Sequence, residues 1–383
     1  MFDIPLAWLQ LSREKNRLLI VLAGIAFAVI LMFMQLGFQS ALYDSATRFH
    51  QSLQGDLVLI NSSSKSLAFM KTFSWRRLYQ ALSFDGVESI SPVYVGFKEW
   101  KNPDNGNLRV IYIYGFDPAK PVFKLPGIFE NIDQLKVNQN ILFDRASRRE
   151  YGPIATEFQQ GKPIITELGG KRVNVVGLFA LGPSFGADGN VIMSDLNFIR
   201  LFSDRKLSQI EIGLIHLKPH VNPTTVLKKL ETSLPKDVKV FTHQGFVDFE
   251  KSYWETSTAI GFIFTLGVVM GFIVGTVIVY QILYTDVSEH LAEYATLKAM
   301  GYKNTYLLLI VFQEAIILAM LGYIPGFSLS LGLYDLTKGA TFLPLAMTAG
   351  RALLVLILTV AMCSISGAIA MRRLGQADPA DIF

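Results

Sequence analysis

A single cysteine, Cys363, occurs in the 383 residues, so no disulfide can form within the chain. Histidines number five and are scattered. His216 and His220 stand four apart, but Pro219 between them breaks the helix that would present both to one metal ion. Charge is scarce too: 17% of residues, where a soluble domain carries about a quarter. The phosphate-loop pattern G-x-x-x-x-G-K-[ST] is missing, as are G-x-S-x-G and H-E-x-x-H. Gly169-Gly170-Lys171 lacks the rest of the phosphate-loop spacing. Segment 39–255 holds 26 basic and 22 acidic residues, a near balance that leaves no expectation of a nucleic-acid surface. These absences argue against a disulfide-stapled domain, a histidine-rich metal enzyme and a self-contained ATPase.

Apolar residues fill the space: they make up 51% of the chain, and the mean hydropathy is +0.37. They collect in four runs, and roughly 20 helical residues cross a hydrocarbon core. The expected spans are 18–38, 256–284, 305–333 and 351–371. Arg13, Lys15 and Arg17 before the first run resemble a signal-peptide start. That run is longer than a signal core of about 7–15 residues, and no A-x-A-like site follows Phe38, so an uncleaved anchor is expected. Basic residues near span ends favour the cytoplasm. Arg13, Lys15, Arg17, Lys298, Lys303, Arg372 and Arg373 fall on one side if the chain crosses four times. The expectation is a multi-pass membrane protein with both termini cytoplasmic. Segment 1–17 is then an amphipathic cytoplasmic lead, 285–304 a cytoplasmic helix, 334–350 a short outer loop and 372–383 a cytoplasmic tail.

Segment 39–255 reads as a large mixed α/β extracytoplasmic domain inserted between the first and second spans. Val93 to Trp100 and Leu108 to Phe116 are rich in β-branched and aromatic residues, and the turn-forming stretch 102–107 separates them. Lys162 to Glu167 and Arg172 to Phe179 flank Gly169-Gly170, a second expected hairpin. Helical spacing covers 74–82, 195–202 and 223–234, with Asp195 as an expected N-cap. Gln209 to Leu217 and Val238 to Thr242 read as strands around the last of these helices.

The polar stretch 285–304 lies between two apolar runs. Leu291, Tyr294, Ala295, Lys298 and Tyr302 approximate one helical stripe, Glu289 and Glu293 share a face, and Gly301 can end the helix. One reading is a helix that lies on the bilayer. The other is a surface for a protein partner, which suits a segment whose carboxylates (Asp286, Glu289 and Glu293) outnumber Lys298 and Lys303. In the second span, Gly267-x-x-x-Gly271-x-x-x-Gly275 is a tandem close-packing motif, for contact within the chain or across a dimer. Its bland reading is the general glycine richness of membrane helices. Glu314 in the third span is either a transmission or dimer contact or a snorkelling side chain.

Glu293-Tyr-Ala-Thr-Leu-Lys-Ala-Met-Gly301 resembles the E-[IVY]-x-x-[LM]-[RK]-A-x-G signature of MacB/FtsX-type (type VII) ABC transporter permeases, and 290–302 is most similar to the cyanobacterial DevC group. Leu291-Ala292 stands where many members carry arginine before the glutamate. Residues 9–24, Phe312-Gln-Glu-Ala315 with Gly322 and Pro325-Gly326, and the tail 378–383 also resemble that family. The resemblance implies a homodimer served by a separate ABC ATPase subunit, which would hold the ATP and magnesium, so no cofactor is expected in this chain. Glu289, His290, Glu293, Tyr294, Leu297, Lys298, Ala299, Met300 and Gly301 would form the ATPase-coupling surface. It further implies mechanotransmission, in which ATP-driven closure moves the periplasmic domain. That motion would drive export of a lipid-like or glycolipid substrate with a periplasmic adaptor (membrane fusion protein) and a TolC-like outer-membrane duct. Alternatives are an FtsX-like signalling protein that activates a cell-wall hydrolase, a lipoprotein or lipid extractor, and a membrane-anchored enzyme.

Overall fold

The computed structural model describes residues 15–289, 300 and 304–374. These divide into two compact units. One comprises Leu42–Thr258 with Thr341–Pro344; the other holds the remaining apolar helices.

In the helical unit, four helices are long and apolar enough to cross a membrane. They are α1 (Lys15–Ser52, whose residues beyond Ala41 belong to the other unit), α7 (Ala259–Glu289), α8 (Asn304–Thr341) and α9 (Ala349–Leu374). Each is longer than the apolar run that predicts it. Helix α1 continues past Phe38 through Tyr43, Asp44 and Arg48, because nothing in 39–52 is a glycine or proline that would end it. Pro325 lies inside α8 and removes one backbone donor there.

The second unit is built on a mixed nine-stranded sheet. Its strands in chain order are β1 (Leu57–Asn61), β3 (Val87–Lys101), β4 (Leu108–Phe116), β5 (Asn140–Asp144), β6 (Ile164–Leu168), β7 (Lys171–Phe179), β8 (Asn190–Ser194), β10 (Ile212–Leu217) and β11 (Val238–Thr242). Side by side they run β11-β1-β10-β3-β4-β8-β5-β7-β6, and a Trp100↔Leu168 pairing brings β6 back against β3. Strands β2 (Phe73–Ser74) and β9 (Gln209–Ile210) form a separate pair. The β4–β8 and β5–β7 pairs are parallel and the remainder antiparallel.

Both faces of the sheet are covered. Leu57 and Leu59 of β1 enter one core with Tyr94, Trp100 and Ile113, against α2 (Arg76–Leu82), α4 (Asp195–Leu201) and α5 (Pro223–Ser233). Val58 and Ile60 enter the other with Phe49, Tyr112, Tyr114 and Phe246. Phe49 lies on α1 and Phe246 on α6 (His243–Thr256). A short helix α3 (Ile154–Gln159) precedes β6. Strand β1 is therefore a continuous apolar run without polar alternation, as a strand buried on both faces must be.

Local chemistry sets the turns and helix starts. Asn102 Oδ1 accepts from the Asp104 N–H at 2.9 Å, closing the turn between β3 and β4. Gly169 and Gly170 have φ of 55° and 74°, the pair of positive values that a tight β6–β7 hairpin of type I′ needs. Asn222 caps α5, with Pro223 in the first turn, and Thr242 caps α6 by accepting from Gly245 N–H at 3.0 Å. The expected cap Asp195 is instead the first helical residue of α4. Ser194, one position earlier, holds the extended backbone of a cap, and its hydroxyl accepts from Asn197 N–H at 3.2 Å.

Trp100 is fully buried, donates Nε1–H to the Tyr151 carbonyl at 3.0 Å and lies 5.0 Å from the Phe143 ring. Trp100→Ala removes a large filled volume and leaves that carbonyl unmet. It is expected to destabilise this unit by about 3–5 kcal/mol, read as a lower thermal midpoint by circular dichroism of the full chain in detergent.

Candidate functional site

Within the helical unit, the glycines of α7 define how closely the helices approach. A Cβ on Gly267 would meet Gln35 at 2.4 Å, one on Gly271 would meet Met32 at 3.4 Å, and one on Gly275 would meet Ala28 Cβ at 2.7 Å and Met362 Sδ at 2.2 Å. As the numbers rise along α7 they fall along α1, so the two helices pack antiparallel with the glycine row against α1. On a neighbouring face of α1, Gly322 and Gly326 of α8 meet Ile25 and Val29 in rising order, which makes α1 and α8 parallel. Ser366 of α9 donates to the Thr276 carbonyl at 2.8 Å, and Gly367 approaches Leu283, so α9 runs with α7. Two helices up and two down is the geometry of four crossings. Small residues suit this packing: apolar side chains gain little over lipid tails, whereas close backbone approach gains dispersion contacts.

Other contacts tie the ends. The Tyr334 hydroxyl donates to the Phe33 carbonyl and receives Arg351 at 3.3 Å, and Tyr323 donates to the Ala352 carbonyl at 2.9 Å. Glu314 on α8 is 1% exposed, with Val311 and Ala315 beside it on the helix nearest to Gly367. A buried carboxylate at this depth faces protein, not lipid.

Of the residues expected to couple to an ATPase, Glu289 is the last residue of α7 and is exposed, and Met300 lies in an exposed turn. His290, Glu293, Tyr294, Leu297, Lys298, Ala299 and Gly301 lie outside the described residues. Among the described residues, no group of three or more His, Cys, Asp or Glu side chains could hold a metal ion. His216 is on β10, while His220 sits in the following turn with φ of 68°.

Sequence reasoning missed a buried cluster in the α/β unit. Glu250 of α6 is 2% exposed, and its Oε2 accepts from the Leu67 N–H at 2.7 Å and lies 3.4 Å from His50 Nε2. Its Oε1 accepts from Trp254 Nε1 at 2.9 Å. His50, fully buried, is on α1; its own carbonyl meets His243 Nε2 at 3.0 Å, and its ring packs 4.5 Å from Phe246. Burial, with Glu250 nearby, pushes the Tyr112 phenol well above its ordinary range. Arg48, one turn before Ser52, donates to the Leu181 carbonyl at 3.1 Å beside Asp144, whose carboxyl burial pushes up. Asp144 in turn accepts from Leu181, Gly182 and Asn190. The last turns of α1 are thus held by two buried polar clusters. The available signal was the four-residue spacing of Glu250 and Trp254, which places them on one helix face; the partner His50 carries no local signature.

A four-span helical chain with a mixed α/β domain between its first and second spans is the class these features define. Residues 265–379 match the family described as FtsX-like permease C-terminal, a stretch that takes in most of α7 and all of α8 and α9. No curated protein matches the chain. Among solved structures, it is similar to the periplasmic region of MacB from Actinobacillus actinomycetemcomitans, at 12% identity and a TM-score of 0.35, over 54% of this chain and 95% of that one. It is also similar to the extracellular domain of the ABC-type transporter YknZ from Gram-positive bacteria, at 14% identity and a TM-score of 0.33, over 49% and 100%.

The glycine row and the buried pair each give a test. Gly275→Ala forces a Cβ onto Ala28 and is expected to lower the thermal stability of the detergent-purified chain by about 1–3 kcal/mol. Gly271→Ala, with its ordinary 3.4 Å clearance, is expected to leave it unchanged. Glu250→Ala strands the Leu67 and Trp254 donors and His50 in a buried core. It is expected to cost about 2–5 kcal/mol for the two unmet donors, with Glu250→Gln retaining more of the stability because its amide oxygen still accepts.

Proposed function

We propose that this chain is the permease subunit of an ABC-type system, lodged in the inner membrane with both termini in the cytoplasm and the α/β domain outside. The observation that carries the reading is the FtsX-like permease match over 265–379, which encloses the polar segment between the second and third membrane-length helices. In this reading, 285–304 is the contact for a separate ATPase subunit, and Glu289, Glu293, Ala299 and Met300 lie on it. ATP hydrolysis belongs to that subunit, consistent with the missing phosphate-loop pattern in this sequence.

The finer reading is mechanotransmission in a homodimer. Closure of the ATPases would shift α7 and α8 at their cytoplasmic ends and so move the outer domain. The substrate would be lipid-like or a glycolipid, handed through a periplasmic adaptor to a TolC-like duct. The close glycine contacts of α7 with α1 support it, because helices packed at backbone distance shift together more readily than helices separated by long, flexible side chains. Signalling to a cell-wall hydrolase uses the same movement without transport and is the second reading that the FtsX-like match favours.

Affinity purification of the tagged chain in mild detergent tests the proposal, beside the double variant Glu293→Lys, Ala299→Asp. An ABC ATPase is expected to co-purify with the parent and to be lost from the variant. A periplasmic adaptor in the same eluate favours export, and a cell-wall hydrolase favours signalling. Absence of any ATPase from the parent eluate sinks the permease reading.

A further inference from the structure

Strand β11 ends the nine-stranded sheet, and β1 is its only strand neighbour among the described residues. Ser62 N–H donates to the Asp237 carbonyl at 2.9 Å and His243 N–H to the Asp56 carbonyl at 3.1 Å. Antiparallel alternation then turns the backbone groups of 237, 239, 241 and 243 toward β1. The Val240 N–H and C=O and the Thr242 N–H point the other way, along the outer edge.

A groove of about 440 Å³ follows that edge. Its lining includes Val238 and Val240 from one face of β11 and Lys239 and Phe241 from the other, with the buried Leu230 of α5 and Leu234 just after that helix. A cavity bounded by both faces of a strand lies beside the strand, where a further strand would lie. Phe241 also walls a second groove of about 580 Å³ that Lys65, Phe249 and Tyr253 help to line. A groove therefore runs beside a row of outward-facing backbone donors and acceptors, the groups through which strand addition gains affinity.

Charge selects the occupant. Lys236 and Lys239 line the first groove and are exposed, and Lys65 lines the second. Glu231 is the one carboxylate in either lining, while Asp237 nearby is engaged by Arg77 at 3.0 Å. A second copy of this chain is a poor fit. Pairing β11 with itself would bring the exposed lysines of two copies onto one seam with no added carboxylate, and edge lysines act against such pairing. We infer that the outer edge of β11 receives an extended acidic segment of a partner protein as an added strand, its carboxylates toward Lys236 and Lys239. The inference holds for export or signalling alike, since neither reading specifies this edge.

The experiment selects short random peptides, displayed on phage, against the full chain in nanodiscs. The best binders are then made synthetically and their affinity measured by fluorescence anisotropy. The expected winners are extended and rich in acidic residues. N-methylation of one alternate set of their backbone amides is expected to weaken binding about tenfold or more, and methylation of the other set to leave it unchanged. The double variant Lys236→Glu, Lys239→Glu changes two exposed side chains and is expected to lose a similar factor. Winners that are basic or helical, affinity indifferent to both methylation sets, or no binder at all would overturn the inference. So would displacement of the peptide by anionic lipid vesicles, which would make the groove a membrane contact.

Discussion

Close approach between α7 and α1 is the constraint on which the helical unit depends. In hydrocarbon, burying an apolar side chain against another helix gains little over burying it in lipid tails, so contact must come from fit. Gly267, Gly271 and Gly275 bring the α7 backbone onto Gln35, Met32 and Ala28, and Gly322 and Gly326 do the same for α8 on Ile25 and Val29. Helix α1 is consequently the shared neighbour of two spans. Larger residues at the tight points, Gly267, Gly275, Gly322 and Gly326, would part the helices and weaken the remaining ties, including Tyr334 to Phe33 and Ser366 to Thr276.

The α/β unit handles the opposite problem. Its sheet is covered on both faces, yet one of those cores contains a carboxylate and an imidazole, Glu250 and His50, at almost no exposure. Buried polar groups rarely add net stability over an apolar core; their use is to specify one arrangement. Here the arrangement specified is that of the last turns of α1, the 67–69 turn and α6, because Glu250 touches groups from all three. A core of Phe and Leu alone would tolerate α6 slipping by a turn. A carboxylate with two N–H donors and one imidazole would not.

Local pattern made much of this legible. The four apolar runs, the β3–β4 and β6–β7 hairpins with their turn residues, helix α5 and strand β11 all follow from composition and period over short stretches. Strands β1, β5 and β8 are harder to read: each is five residues long and buried along most or all of its length, so the alternation that marks a half-exposed strand is missing. Helix α6 was masked because it runs up to α7 with only Ser257 and Thr258 between them.

By itself the sequence determined the number of membrane-length helices, the presence of an inserted mixed domain and the glycine spacing on α7, since each depends on residues close in the chain. Only the tertiary structure decided which surface that glycine row meets, in what order nine strands lie, and that His50 reaches Glu250. Those outcomes depend on which distant segments close on one another. Period and composition describe the faces that each segment must bury, but many partners could satisfy a given face, and the choice among them is made by the packing of the whole.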